Sequence, residues 1–343
     1  MAFLASMAIV FFLLPRSLRF FSRRGWVNHQ RSYMIDASSK EGTPVMGGIH
    51  VFFATCSAIL MFCDLTNRYT QILLVSAFYF FAMGLWDDLQ KIKAKHHDSG
   101  MSRSIKYILQ ISFGVILGLI MASDYSPHHE ILFNTISIPG FKQPMRAEWF
   151  YPIFTTFIIV SVSNAVNFAD GMDGLATAPS FMTFLGLGIF AYILGNSIWS
   201  DHFLFFYFEG RGIFHIFSSE CVVVCAAILG ALMGFLWYNT YPATIFMGDC
   251  GSMFLGGVMA TLLILLKQEF LFPIFGFLFV LEAASVLIQD YVGVKLLGRR
   301  IFYRAPFHDY LKYKGYSEPK IVVRMWILSA AMMAIGMLSI KMR

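Results

Sequence analysis

Three stretches of this chain combine residue types that could do chemistry, and each lies at the end of a long apolar run. The first is Asn239-Thr240-Tyr241-Pro242-Ala243-Thr244-Ile245-Phe246-Met247-Gly248-Asp249-Cys250-Gly251-Ser252. Its carboxylate, Asp249, sits among Gly248, Gly251 and Ser252, where backbone can approach a ligand closely. The second is Asp87-Asp88, which follows Gly84-Leu85-Trp86 at the end of an apolar run. Adjacent carboxylates repel, so a cation or a proton is the expected companion, and negative charge at a helix C-terminus also opposes the dipole. Lys91 and Lys95 follow at helical spacing, able to offset that repulsion or to hold phosphate. The third, Asn164 to Gly174, carries Asn164, Asn167, Asp170 and Asp173 at three-residue intervals. Amides donate and accept at once, which suits sugar and base edges; carboxylates suit ribose hydroxyls, a uracil N–H or a metal. Acids next to apolar spans persist mainly where they bind or react.

Together these acidic clusters and the nearby lysines suggest Mg2+ and phosphate, because Mg2+ is held through one or two carboxylates with phosphates and water. A phosphate-binding glycine loop ending in Gly-Lys-Ser/Thr and a zinc-peptidase His-Glu-x-x-His pattern are both missing, which argues against those two classes. The histidines are poor metal evidence: His96-His97 falls in a charged loop, His128-His129 on the opposite side, and His308 is solitary. Cys56, Cys63, Cys221, Cys225 and Cys250 show no ligand spacing and are expected to pack as small hydrophobes.

The elements that must position these residues are membrane helices. Of 343 residues, 57% are hydrophobic, 17% aromatic and 13% charged, with a mean hydropathy of +0.65. Soluble domains carry about 25% charged residues. The apolar blocks are about 20 residues long, enough to cross a hydrocarbon core of ~30 Å. They do not alternate as barrel strands would, so an all-α polytopic membrane protein is expected. Ten spans are predicted, at 2–22, 46–64, 70–87, 104–123, 147–165, 175–196, 217–238, 251–267, 270–297 and 321–340. The ninth is long for one crossing and is expected to bend or to include an interfacial piece. Arg16, Arg19, Arg23 and Arg24 follow the first run without a small-residue cleavage site, so it reads as a retained span. No repeat or second domain is evident, and 1–343 reads as one unit.

Basic residues orient the spans. Six lie between Arg16 and Lys40, five between Lys91 and Lys106, and eight between Lys295 and Arg324, which is 19 of the 26 Lys and Arg. The other side receives Arg68, Lys142, Arg146, Arg211, Lys267, Lys341 and Arg343. The positive-inside bias places the rich side in the cytoplasm and both termini outside. Every polar cluster above then falls on the cytoplasmic side, together with Gly42-Thr43-Pro44 and the loop around His308. Convergence on one face argues for a single site there. The segment His128 to Gly140 is rich in β-branched and aromatic residues and suggests a small hairpin on the outer, periplasmic side.

In these residues the chain resembles the phospho-N-acetylmuramoyl-pentapeptide-transferases (translocase I), within the wider polyprenyl-phosphate N-acetylhexosamine-1-phosphate transferases. The resemblance runs through Lys40 to Gly48, Asp87-Asp88, Asn164 to Gly174 and Asn239 to Gly257. It continues through Gln268-Glu269-Phe270, Arg300-Ile301-Phe302 and Ser317 to Arg324. It implies transfer of phospho-MurNAc-pentapeptide from UDP-MurNAc-pentapeptide to undecaprenyl phosphate with Mg2+, giving lipid I and UMP for peptidoglycan, at the bacterial inner membrane. It further implies Asp249 as the Mg2+ ligand and Asp87 and Asp88 as a catalytic pair. Phe246 would stack on uracil. Asp170, Gly171, Asp173 and Asn239 would line the nucleotide pocket, with Lys40, Asn164, Asn167 and Gln289 nearby. The sequence does not fix the oligomeric state, for which a homodimer is one candidate, and nucleic acid is not an expected partner.

One departure stands out. The family carries three consecutive histidines where this chain reads Pro306-Phe307-His308-Asp309-Tyr310, so only His308 is kept in a loop assigned to recognition of the substrate head. Asp290, beside Gln289, is an intramembrane acid with no assigned task. The reaction implied by the resemblance also suggests a mechanism. Two anions must meet, so clamping by metal and lysines is the main requirement, with Lys91, Lys95 or Lys106 drawing in the lipid phosphate. Asp87 then serves as base or as a positioning group. Two alternatives accompany this reading. A related transferase would use another UDP-HexNAc on the same lipid, as the altered histidine loop suggests. An ion-coupled transporter would place its polar groups at mid-span.

Overall fold

The structure, a computed structural model, describes residues 1–27, 40, 42–94, 100–123, 126, 134–138, 145–203 and 212–342. The apolar runs are helices: α1 (Ala2–Arg23), α2 (Gly48–Phe62), α3 (Arg68–Ala94), α4 (Arg103–Met121), α5 (Tyr151–Ala169) and α6 (Thr177–Gly195). A short α7 (Ser197–His202) precedes α8 (Gly212–Asn239), α9 (Asp249–Leu265), α10 (Phe272–Phe275), α11 (Phe277–Leu287), α12 (Phe307–Tyr313) and α13 (Glu318–Leu338). Among the described residues, eight helices are long and apolar enough to cross a membrane, and α2 and α9 are shorter apolar helices. These ten occupy the ten predicted spans, and the all-α membrane architecture is the one expected.

The ninth span is broken. Gly276 separates α10 from α11, and Ile288–Leu296 continues as a π-helical segment. Such i→i+5 turns are rare and occur mostly as short insertions in α-helices. Here Gln289 Oε1 accepts the backbone N–H groups of Ile301 (3.1 Å) and Phe302 (2.9 Å), tying the following loop to the helix. Asp290 is exposed on this segment.

Helix α9 lies at the centre. Its 17 residues would span only about 26 Å, and every residue from Cys250 to Leu265 is buried. A helix apolar all round belongs in a core. It packs against α3 and α5, with α2 also in contact. Close approach depends on small residues. A Cβ on Gly84 of α3 would lie 2.2 Å from the carbonyl oxygen of Asp249, and one on Gly48 of α2 would lie 2.2 Å from Gly251 Cα. Backbone cannot yield as a flexible side chain can, and overpacking of this kind costs about 1–3 kcal/mol. Gly84→Ala is therefore expected to lower the unfolding temperature in detergent. It should also reduce turnover by roughly 10–100-fold, because a displacement of ~1 Å at a reacting centre is that costly. Wild-type values for both would show that α3 and α9 do not meet through Gly84.

At the opposite end from the polar clusters, Thr135 and Ile136 pair antiparallel with Arg146 and Met145. The predicted segment, His128 to Gly140, supplies one strand of this two-residue ladder, and its partner Met145–Arg146 lies beyond it; 127–133 and 139–144 lie outside the described residues. Lys267, expected in the loops of that side, is instead fully buried. Its Nζ donates to the Thr135 carbonyl (2.9 Å) and to the Tyr151 hydroxyl (2.7 Å). A buried ammonium needs such acceptors, and the ladder supplies one by folding over the helix end.

Candidate active site

The chain ends of α1, α3, α5, α8 and α11 meet the starts of α2, α4, α6, α9 and α13 at one polar end of the bundle. Local sequence explains the meeting. Gly248, with φ of 77°, turns the chain into α9. The segment before it pairs with the glycine-rich entry to α2. Phe246 N donates to Pro44 O (2.9 Å), Gly47 N to Phe246 O (2.8 Å) and Gly48 N to Met247 O (2.8 Å). Asn239, closing α8, locks the same turn. Its Nδ2 donates to Ile245 O (2.9 Å), while its Oδ1 accepts from Gly174 N (3.2 Å) and Thr177 Oγ1 (2.7 Å).

Asp88 reaches across from α3 to the start of α9. Its two oxygens accept the backbone N–H groups of Asp249 (3.1 Å) and Cys250 (2.9 Å). A carboxylate satisfying the free amides of a helix N-terminus also faces the positive end of its dipole. Asp88 thereby sets where Asp249 stands. Asp87 Oδ1 accepts from Met101 N (2.6 Å), and its other oxygen faces two ammonium groups, Lys91 Nζ at 2.7 Å and Lys106 Nζ at 3.0 Å. Both lysines also reach Asp249 Oδ2, at 3.1 and 2.8 Å. The centre therefore holds three carboxylates against two ammonium groups. One oxygen from each of Asp87, Asp88 and Asp249 falls within 4.8 Å of the others. Asp87 is almost fully buried, whereas Asp249, Lys91 and Lys106 keep a face open. Three hard oxygen donors with surplus negative charge fit a divalent cation such as Mg2+.

A second charged cluster lies beside the first. Lys40 Nζ contacts Asp173 Oδ1 at 2.5 Å and also Glu318. Asp173 Oδ2 accepts from Ala243 N (3.0 Å), Glu318 Oε1 accepts from Asp173 N (3.1 Å), and Lys312 Nζ approaches Glu318 Oε2 (3.4 Å). The Phe246 ring is half-buried, with Lys40 Nζ 5.6 Å from its centroid. An aromatic face beside a fixed acid and lysine can receive a flat heterocycle and read its edge.

The structure thus joins Asp87, Asp88, Asp249, Lys91 and Lys106 in one cluster, and Lys40, Asp173, Asn239 and Phe246 in its neighbour. Asn167 Nδ2 donates to Ser252 Oγ (2.9 Å) at the wall of α9, and Asn164 Nδ2 to Gln110 Oε1 (2.8 Å). Asp170 ends α5, half-buried. Gly171 abuts the His308 ring, since a Cβ there would lie 2.2 Å from Nε2. Gln289 spends its carbonyl on the loop after the π segment, as described. Lys95 lies outside the described residues. Sequence reasoning missed Glu318, which contacts both Lys40 and Lys312, and missed Lys312 itself. It also missed Gln110 behind Asn164 and Glu282 behind His308. Glu318 lay within the motif 317–324, and Glu282 is an acid inside an apolar run, a signal that should have drawn notice.

The family model described as glycosyl transferase family 4 matches residues 70–267, more than half of the chain. The phospho-N-acetylmuramoyl-pentapeptide-transferase of Rickettsia massiliae (strain Mtu5) is 40% identical over 308 residues, covering 89% of this chain and 81% of that protein. The protein of the same name from Desulfosudis oleivorans is 38% identical over 347 residues, covering 100% of this chain and 92% of its own.

Proposed function

The chain belongs to glycosyl transferase family 4 and, within it, to the phospho-N-acetylmuramoyl-pentapeptide-transferases, and from that premise we propose the following reaction. It moves phospho-MurNAc-pentapeptide from UDP-MurNAc-pentapeptide to undecaprenyl phosphate, forming lipid I and UMP, with Mg2+. The observation that carries this is the pairing of an acidic, lysine-bridged centre with a lysine–aromatic pocket beside it at one end of a membrane bundle.

In the reaction an oxygen of the lipid phosphate attacks the β-phosphorus of the donor, and the bond from that phosphorus to UMP breaks. The attacking phosphomonoester already carries about −1.5 to −2 charge at pH 7. Bringing it to a diphosphate is therefore the harder part, and removing a last proton helps less. Lys91 and Lys106, each spanning Asp87 and Asp249, are the cations of this chain closest to that task. They hold the incoming phosphate while Asp88 keeps the start of α9 in register. Asp87, pinned by Met101 N and both lysines, orients those ammonium groups and is the base if one is used. Asp249 and Asp87, with Asp88 in reach, would hold Mg2+, which when bound offsets diphosphate charge and the charge on departing UMP. Phe246, Lys40, Asp173 and Asn239 would hold the uridine, with Asp170, Gly171, Asn164, Asn167 and Gln289 around them.

Location follows from solubility. A long prenyl chain stays in the bilayer while a nucleotide sugar stays in water, so only an interface brings both to one site. The basic excess at this end supports a site facing the cytoplasm at the bacterial inner membrane, with both termini outside.

Asp309 and Tyr310, standing where the family has histidines, favour a second donor, another UDP-HexNAc. Purified protein given undecaprenyl phosphate and either donor is expected to form lipid product from UDP-MurNAc-pentapeptide. Product from UDP-GlcNAc alone would move the chain to the related transferases.

A further inference from the structure

Glu318 opens α13 and is buried where three other parts of the chain meet. Its Oε1 accepts from the backbone N–H of Asp173 (3.1 Å) and from Lys40 Nζ, and its Oε2 faces Lys312 Nζ of α12 at 3.4 Å. Lys40 Nζ donates as well to Asp173 Oδ1 (2.5 Å). Positions 40, 173, 312 and 318 thus form one network of two carboxylates and two ammonium groups, neutral in sum. A helix dipole favours an acid at this place, but it does not ask that the acid be buried and joined to a lysine 278 positions away. An ammonium group has three N–H donors. Two of those on Lys40 go to Asp173 and Glu318, so the direction of the third is restricted, and Nζ lies 5.6 Å from the centre of the Phe246 ring. A lysine held by one partner keeps much of the freedom of its four-carbon stem. Ordering that stem before a ligand arrives removes a cost from binding.

We propose that Glu318 is a positioning residue for the uridine of the donor: by holding Lys40 Nζ together with Asp173, it fixes the remaining N–H of Lys40 beside Phe246 before the nucleotide binds. This role rests on the transferase reading given above, which puts the uridine in this pocket. A site gains precision when the groups that touch the ligand are locked by groups behind them. A merely structural Glu318 would act through the Asp173 N–H or through Lys312 and α12, and its removal would be felt whether or not Lys40 was present.

The test is UMP binding by calorimetry to purified protein, followed by kinetics. Glu318→Gln keeps an oxygen to accept from Asp173 N and removes the charge that holds Lys40. It is expected to weaken UMP binding about 10-fold and to raise the KM for the UDP-sugar in proportion, with kcat and the KM for undecaprenyl phosphate changed by less than roughly twofold. In the Lys40→Met background the same change should cost less than roughly twofold. Wild-type affinity in Glu318→Gln overturns the proposal, and so do losses that add in the double variant. Lys312→Met is expected to weaken UMP binding less than Glu318→Gln does; an equal loss would assign the effect to the α12 tether and overturn it too. If Glu318→Gln does not fold, Glu318→Asp, which keeps the charge but draws the oxygens back from Lys40, decides by the same UMP measurement. Should the wild-type protein bind no UMP, the transferase reading itself fails; unchanged UMP binding in the variants beside a wild type that binds would sink this role alone.

Discussion

Asp249→Asn is expected to lower turnover by on the order of 10³-fold and to flatten the dependence on Mg2+. The side chain keeps its size, so α9 and its tether to Asp88, which runs through backbone N–H groups, remain. What changes is charge. Asp249 Oδ2 is the point where Lys91 and Lys106 converge, at 3.1 and 2.8 Å, and it is one of three oxygens close enough to share a cation. An amide at that point weakens the grip on a divalent ion and leaves two ammonium groups facing one fewer anion. Binding of UMP, whose uridine would lie in the Lys40 pocket, should change far less. Turnover is followed by UMP release across a Mg2+ titration. Near-normal turnover with a wild-type titration curve would remove Asp249 from the centre.

The second large effect is expected at Lys106. It is the first-turn lysine of α4 and contacts both Asp87 and Asp249. Lys106→Ala leaves three carboxylates with Lys91 alone, in a partly buried setting where charges are poorly screened. A lost electrostatic clamp of this kind typically costs 10²–10³ in rate, and about 10²-fold is expected here because Lys91 remains. The KM for undecaprenyl phosphate should rise as well, since an anion would approach a more negative centre. That split is measured by varying each substrate separately. An unchanged lipid-phosphate KM together with a raised UDP-sugar KM would assign Lys106 to the donor.

Much of the fold was legible because lipid imposes a length. Apolar runs of the right size became helices at the expected places, and alternating basic loops grouped the polar motifs at one end. The break at Gly276 and the π segment were foreshadowed only as excess length, since the alternative turns are settled by side chains such as Gln289 holding a distant loop. Lys267 was misjudged for a similar reason. A lysine ending an apolar run resembles a loop residue, and its burial depends on the Thr135 carbonyl, 132 positions away in sequence.

The candidate site was legible as residue types and less so as partnerships. Asp87-Asp88 and Asp249 stood out as acids at span ends, yet their different environments did not. Asp88 spends its oxygens on helix amides while Asp87 faces lysines, and only tertiary packing separates two adjacent aspartates. Glu318 resembled an ordinary first-turn acid of α13, a position that the helix dipole favours. Its contact with Lys40 crosses 278 positions of chain and leaves no local trace. Glu282 was visible as an acid in an apolar run and could have been found by that rule.

The central proposal is phosphoryl transfer at the Asp87–Asp249 centre. The most direct measurement is UMP release from UDP-MurNAc-pentapeptide by the purified protein, with undecaprenyl phosphate and Mg2+ omitted in turn. Release only when both are present, and its loss in Asp249→Asn, is the predicted result. Undiminished release without the lipid phosphate, or in excess chelator, would contradict it.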